Sequence, residues 1–186
     1  MSPAASLNWP IITVDFEASS LGPDSYPIEI GFAQWNDPQA PISTWSRLIC
    51  PTDAWVARSA KLQASHLIHG IRPEWLELGY DPDEVLELVN SRFPQGALAY
   101  CDGGSHDQHW LDTLVKAAAL QSNVRLASWG SFIRPLGYRC QIRLQHWAES
   151  HRTVHRAGPD AVDHLRGLAF ALEVPEPAVT PWEGDF

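Results

Sequence analysis

The segment IITVDFEASSLG, residues 11–22, runs an apolar stretch straight into two carboxylates, Asp15 and Glu17. Burying a charge is costly unless it is paired or ligates a metal. Alternate residues of a strand face the same side, so Ile11, Thr13, Asp15 and Glu17 share one face and Ile12, Val14 and Phe16 the other. Two residues span roughly 6.5 Å along a strand, so both carboxylates can lean toward one cation. Taken alone, the pair also fits a strand end that opens into solvent.

Two further places hold acids where an apolar or neutral residue is expected. In SHDQHWLDTLVKAAAL the apolar stripe is Trp110, Leu111, Leu114 and Val115, and counting back three and four residues lands on Asp107. Asp107 therefore shares the core-facing side of its helix while Asp112 faces away. Asp102, at the end of the preceding strand, competes with it for a role at the carboxyl end of the sheet, where α/β sites gather. In VHRAGPDAVDHLRGLAF, Pro159 fits the first position of a helix and sets Asp160 in its first turn. His155 stands five residues earlier on a short connection turned by Gly158-Pro159, and the ordinary pKa of a histidine suits proton abstraction near neutrality. A zinc pair from His151 and His155 lacks the intervening glutamate of the protease motif and adjoins a helix breaker.

The elements that must hold these groups follow from periodicity and punctuation. IITVDFEA, IEIGFAQW and STWSRLIC read as three strands separated by turn-rich LGPDSYP and NDPQAP, an antiparallel meander. DPDEVLELVNSRF starts with an Asp-Pro cap and sets Val85, Leu86, Val89 and Phe93 on one stripe. GALAYC is a buried strand, SHDQHWLDTLVKAAAL a helix, VRLASW a fifth strand, and helices over about 138–150 and 160–172 close the unit. This order predicts one α/β domain over residues 1–174, with a mixed sheet that is antiparallel on one side and parallel on the other. The Pro-rich 175–186 reads as a flexible tail.

Composition narrows the setting. The chain has 186 residues, 45% hydrophobic and 19% charged, enough for a real core. No stretch approaches the ~18 apolar residues of a membrane span, and the N-terminus lacks a basic and apolar leader. Three widely spaced cysteines without CxxC spacing fit a reducing cytoplasm. The net charge of −9 argues against coating nucleic acid through bulk charge. Residues 121–160 nevertheless hold six arginines against Glu149 and Asp160, a local +4 that reads either as a solvated helix face or as a phosphate-contacting edge. Most of the nine tryptophans read as core, and His66 and His69 as structural.

The order Asp15, Glu17, Asp107, His155, Asp160 resembles the DEDDh 3′–5′ exonucleases, the group of the proofreading exonuclease, RNase T and oligoribonuclease. DFEASSL at 15–21 is similar to the first motif, AYCDGGSHDQHWL at 99–111 to the second and HRAGPDA at 155–161 to the third, with IEIG at 28–31 and HGIRPEWL at 69–76 between them. The second motif departs from the usual H-N-x-x-F-D, with Asp102-Gly103 where His-Asn stands and His106 before the acid. The resemblance implies a ribonuclease-H-like five-stranded sheet flanked by helices, with Asp15, Glu17, Asp107 and Asp160 around two Mg²⁺ or Mn²⁺ ions and His155 as general base. Oxygen-only ligands select such hard cations, and two ions serve an in-line phosphoryl displacement. It further implies that Ala18, Ser19, Ser20 and Leu21 meet the 3′-terminal nucleotide and that single-stranded 3′ ends of DNA or RNA are the substrate; a homodimer is common in the family but carries no signal in this chain, and without an apolar span no membrane is expected. A non-catalytic nucleic-acid or polymerase-partner binding module on the same fold is the alternative. Choice between DNA and RNA turns on contacts to the 2′-hydroxyl, which no residue announces.

Overall fold

Alternation in residues 11–18 makes a strand with two different faces, and the whole architecture is arranged around it. The computed structural model describes residues 7–58, 66–152 and 154–182. Strands β1 (Ile11–Ala18), β2 (Pro27–Trp35) and β3 (Ile42–Leu48) form the expected antiparallel meander, and β4 (Ala97–Cys101) and β5 (Val124–Ser128) continue it in parallel beyond β1. A sixth strand, β6 (Val179–Pro181), lies parallel on β3, giving the order β5-β4-β1-β2-β3-β6. The sheet is flanked by helices α1 (Asp53–Arg58), α2 (His66–His69), α3 (Pro73–Leu76), α4 (Pro82–Arg92), α5 (Ser105–Ala118), α6 (Trp129–Ile133), α7 (Tyr138–Ser150) and α8 (Ala157–Leu172). No helix among the described residues is long and apolar enough to cross a membrane.

The two faces of β1 divide the core. Ile12, Val14 and Phe16 pack with Val85, Leu86 and Val89 of α4 and with Trp110, Leu111 and Leu114 of α5. Ile11 on the opposite face joins Trp35, Ile42, Leu144 of α7 and Leu165 and Leu168 of α8. Thr13, next along that face, donates its hydroxyl to the carbonyl of Ala161 at 2.6 Å. A buried polar group is thus satisfied by pinning the first turns of α8 onto β1. Helix α4 begins as its sequence predicts: Pro82 occupies the first position, and Glu84 accepts the backbone N–H of Asp81 at 3.0 Å.

Two expectations are corrected. The sheet has six strands rather than five, because part of the presumed tail is built into it. Val179–Pro181 pairs with Ile42–Thr44, the N–H of Trp182 reaches the carbonyl of Thr44 at 2.9 Å, and the Trp182 ring meets Phe93 edge-on at 5.5 Å. Proline is tolerated there because an edge strand needs no donor on its open side; residues 183–186 lie outside the described residues. Helix α8 also starts earlier than expected, at Ala157, which makes Pro159 its third residue. The first four N–H groups of a helix have no internal partner, so proline at the third position loses nothing; an external acceptor for the Ala157 N–H fixes the earlier start.

The arginines of 121–160 do not form one edge. Arg139 and Arg143 both pair with Glu173 at the end of α8, and Arg143 also donates to the carbonyl of Phe170. This clamp ties α7 to α8 and places cations where helix carbonyls end. Five of the nine tryptophans are buried (Trp35, Trp45, Trp55, Trp110, Trp129), in keeping with a core role. The side chain of His66 lies outside the described residues.

Where α8 approaches the sheet, Gly31 of β2 is the point of contact. A Cβ added there would stand 2.3 Å from the carbonyl carbon of Ala157 and from the nitrogen of Gly158. Backbone cannot yield as a side-chain tip can, so Gly31→Ala is expected to lower stability by about 2 kcal/mol or more. Urea unfolding monitored by tryptophan fluorescence measures this; an unchanged midpoint would refute the close approach.

Candidate metal centre in an acidic cleft

The carboxyl ends of β1 and β4 open into a cleft of about 670 Å³ between α5 and α8. Asp15, Glu17, Asp107, His155 and Asp160, drawn from four separate segments, all line it together with Ala18–Leu21. Asp15 and Glu17 come from the last turns of β1's pleat, on the face covered by α8. Asp107 projects from the first turn of α5 and is only 1% exposed. One of its oxygens, Oδ2, has no hydrogen-bond partner among the described residues. Gly103 makes room for it, since a Cβ there would lie 2.7 Å from both carboxylate oxygens. Asp112 is exposed and accepts a hydrogen bond from Gln108, so it faces away as expected.

Asp160 is gripped by the loop that carries His155. The backbone N–H groups of Val154 and Arg156 donate to its two oxygens at 3.2 and 3.3 Å. His155 itself is exposed and has φ +56°, a left-handed conformation unusual for a side-chain-bearing residue. That turn directs the ring toward the acids: ligand atoms of Glu17, His155 and Asp160 all lie within 4.8 Å of one another.

The loop is held from below by Glu29. This residue sits opposite Glu17 in the β1–β2 register and is 1% exposed. It accepts hydrogen bonds from Nε and Nη2 of Arg156 at 3.0 and 2.8 Å, and from the Ala157 N–H at 3.0 Å. A bidentate guanidinium and a backbone donor compensate this buried charge. They also explain why α8 starts at Ala157. Glu29 is therefore a supporting residue, as IEIG suggests, rather than a ligand.

Among the described residues the acids of the cleft have no bidentate guanidinium partner of this kind. Burial, and then the like charges of Glu17, Asp107, Asp160 and Asp102, push Asp15 well above the ordinary carboxylate range. Burial, Asp160 and Glu29 push Glu17 up to about 8, with Arg156 pulling the other way. Burial raises Asp107 to about 6. It raises Asp160 too, against the pull of the amides of Val154 and Arg156. Four crowded, desolvated carboxylates, one with an orphaned oxygen, are a donor set that fits hard divalent cations. No thiolate faces the ligand atoms in a way that would select zinc, since the Cys101 thiol is buried and pushed up to about 12.

The hydroxyls of Ser19 and Ser20 are engaged within their own loop. Ser19 is fully buried and its hydroxyl accepts the Tyr26 N–H at 3.1 Å, while the Ser19 N–H donates to the Tyr26 carbonyl. Its side chain closes the loop after β1 and is spent there. Ser20 similarly accepts the Gly22 N–H, whereas Leu21 is exposed at the rim. The cleft also contains residues that the sequence reading did not assign: Asp163, whose carboxylate accepts the indole N–H of Trp147, and His164, paired with Asp102 at 3.6 Å. The available signal was helical spacing, because positions three and four after Asp160 fall on the same face of α8. The chain matches no protein-family model and no curated protein.

A stability test follows from these shifts. Folded Glu17 keeps its proton up to about pH 8, whereas the unfolded chain releases it near 4.5. Between those values the folded state binds more protons, so stability falls as pH rises through the window and levels off above it. Without divalent ions, Tm is expected to drop from about pH 5 to about pH 8, and Glu17→Gln to flatten the drop. Added Mg²⁺ should raise Tm more at the upper pH than at the lower. A Tm insensitive to both pH and Mg²⁺ would contradict an uncompensated acid cluster.

Proposed function

We propose that this chain is a metal-dependent 3′–5′ exonuclease of the DEDDh type, acting on single-stranded ends of DNA or RNA. The observation that carries the reading is the convergence of Asp15, Glu17, Asp107 and Asp160 with His155 in one cleft, at the spacing of a ligand cluster for three of the five. The sheet order, with an antiparallel β3-β2-β1 unit continued in parallel by β4 and β5, supports a ribonuclease-H-like fold. When bound, two divalent ions would supply neutralisation of the acids and Lewis acidity at the phosphorus.

The chain's own residues then have distinct duties. Asp15, Glu17, Asp107 and Asp160 would hold the ions from rigid strand and helix positions, which would keep the donor geometry fixed. His155 accepts the proton of the attacking water, and its exposed ring on a turned loop lets it reach a substrate lying over the acids. The oxygen of that water bonds to phosphorus, the bond from phosphorus to the 3′ oxygen of the preceding nucleotide breaks, and that oxygen leaves to be protonated. A nucleoside 5′-monophosphate departs and the strand is one residue shorter. Leu21 and Ile68, both exposed at the rim, offer apolar surface to the terminal base.

The test is digestion of 5′-labelled single-stranded DNA and RNA of matched sequence with Mg²⁺, Mn²⁺ or EDTA. A metal-dependent ladder shortening from the 3′ end is expected, abolished in Asp15→Ala. His155→Ala is expected to lower kcat by about 10²- to 10⁴-fold, the range of a general base. Intact oligonucleotide in every lane, from folded protein that binds it, would favour the non-catalytic binding module instead.

A further inference from the structure

Three histidines line the cleft, His69, His155 and His164. His69 accepts the Ile71 N–H on Nδ1 at 3.0 Å, and His155 belongs to the acid cluster. His164 has no part in the chemistry described above. It stands one helical turn beyond Asp160 on α8, about 6 Å further along the axis. Its Nε2 faces Asp102 Oδ1 at 3.6 Å, and its ring lies against Trp129 with centroids 5.3 Å apart. Trp129 in turn stacks on Phe132 at 5.1 Å, so the imidazole is backed by a fixed aromatic wall. The pair spans from the end of β4 to α8, and its acid is the more open member: Asp102 is 60% exposed and His164 19%.

The surroundings give this histidine its meaning. Among the described residues no lysine or arginine lines the cleft, while six carboxylates do. Arg156, the residue after His155, is turned to Glu29. Ions held by the acids would attract the scissile phosphate, but the next phosphate of a strand lies outside their first contacts and would meet Asp102 and Asp163. A polyanion needs a donor at that point. His164 is placed for it, one turn from Asp160, close to the spacing of successive phosphates in an extended strand. Asp102 is held below the ordinary carboxylate range first by the His164 side chain that faces it.

Resting on the nuclease reading, we propose that His164, oriented by Asp102, is a substrate-binding residue that donates to a non-bridging oxygen of the phosphodiester one nucleotide upstream of the scissile bond. The ligand class is a nucleic-acid strand of at least two phosphates, and the contact reads backbone rather than base.

The experiment compares two substrates. A single-stranded oligonucleotide carries the upstream phosphate, whereas the p-nitrophenyl ester of a nucleoside 5′-monophosphate carries only the scissile one. His164→Gln is expected to raise KM on the oligonucleotide about ten- to hundred-fold, the value of one hydrogen bond to a charged group, and to lower kcat/KM there at least tenfold more than on the ester. Asp102→Asn should show the same split with a smaller amplitude, because it loosens the ring without removing it. Circular dichroism melts of each variant check the fold. Equal losses on both substrates, or no loss on the oligonucleotide, would overturn the role of His164 alone. Wild-type protein inert on both substrates would overturn the nuclease reading and this proposal with it.

Discussion

A carboxylate as deeply buried as Glu29 can persist only if something fixed and cationic meets it, and in this chain the meeting organises everything above it. Arg156 and the Ala157 N–H converge on the two Glu29 oxygens. Because Arg156 is thereby fixed, so are its neighbours: His155 is forced through a left-handed turn, and the amides on either side of it close on Asp160. Breaking such a pair from one side leaves an uncompensated charge in the interior, the costliest kind of loss. The clamp also decides where α8 begins, and therefore which residues of that helix look into the cleft.

Glu17 and Glu29 stand opposite each other on adjacent strands, yet their fates differ. One is matched by a guanidinium and a backbone donor. The other shares its space with Asp15, Asp160 and a histidine, and is left to hold a proton or a cation. Such a site is unfavourable on its own, and it is maintained by the two apolar layers on either side of the sheet. The proposed divalent-ion site rests on this crowding, which disfavours the ionised acids.

How much of this could be read from the residues depends on the distance over which each feature acts. Local periodicity was enough for β1, α4 and α5, and it singled out Asp107 because an acid on an apolar stripe is visible in a window of eight residues. The order of acids was legible for the same reason, but the turn was not: Gly158-Pro159, expected to make it, lie inside α8, and the left-handed residue is His155 itself. Features made by long-range contacts were not legible either. The partner of Arg156 lies 127 positions away, and those of Arg139 and Arg143 lie beyond any local window, so a run of arginines looked like one basic stretch. The acceptor role of Ser19 depends on Tyr26 folding back over it, which no local pattern shows. Gly31 and Gly103 carry no pattern at all; only the proximity of Ala157 and of the Asp107 oxygens explains them. The start of α8 was misplaced because proline is allowed at several first-turn positions and only Glu29 selects among them.

The short strand β6 has a consequence of a different kind. β3 is the margin of the antiparallel half, and an open strand margin is a template on which another chain can pair. Three residues of β6 cover its first part, Ile42–Thr44, and the Trp182 N–H continues the pairing to the Thr44 carbonyl. Further along, the margin is also occupied: the Tyr80 N–H donates to the Leu48 carbonyl, and Arg47 lies across the Trp45 and Tyr80 rings. Trp182 fastens the closing segment to Phe93. The segment that resembles a loose end thus occupies the first part of the sheet's outer margin, where another chain would otherwise find unpaired backbone groups.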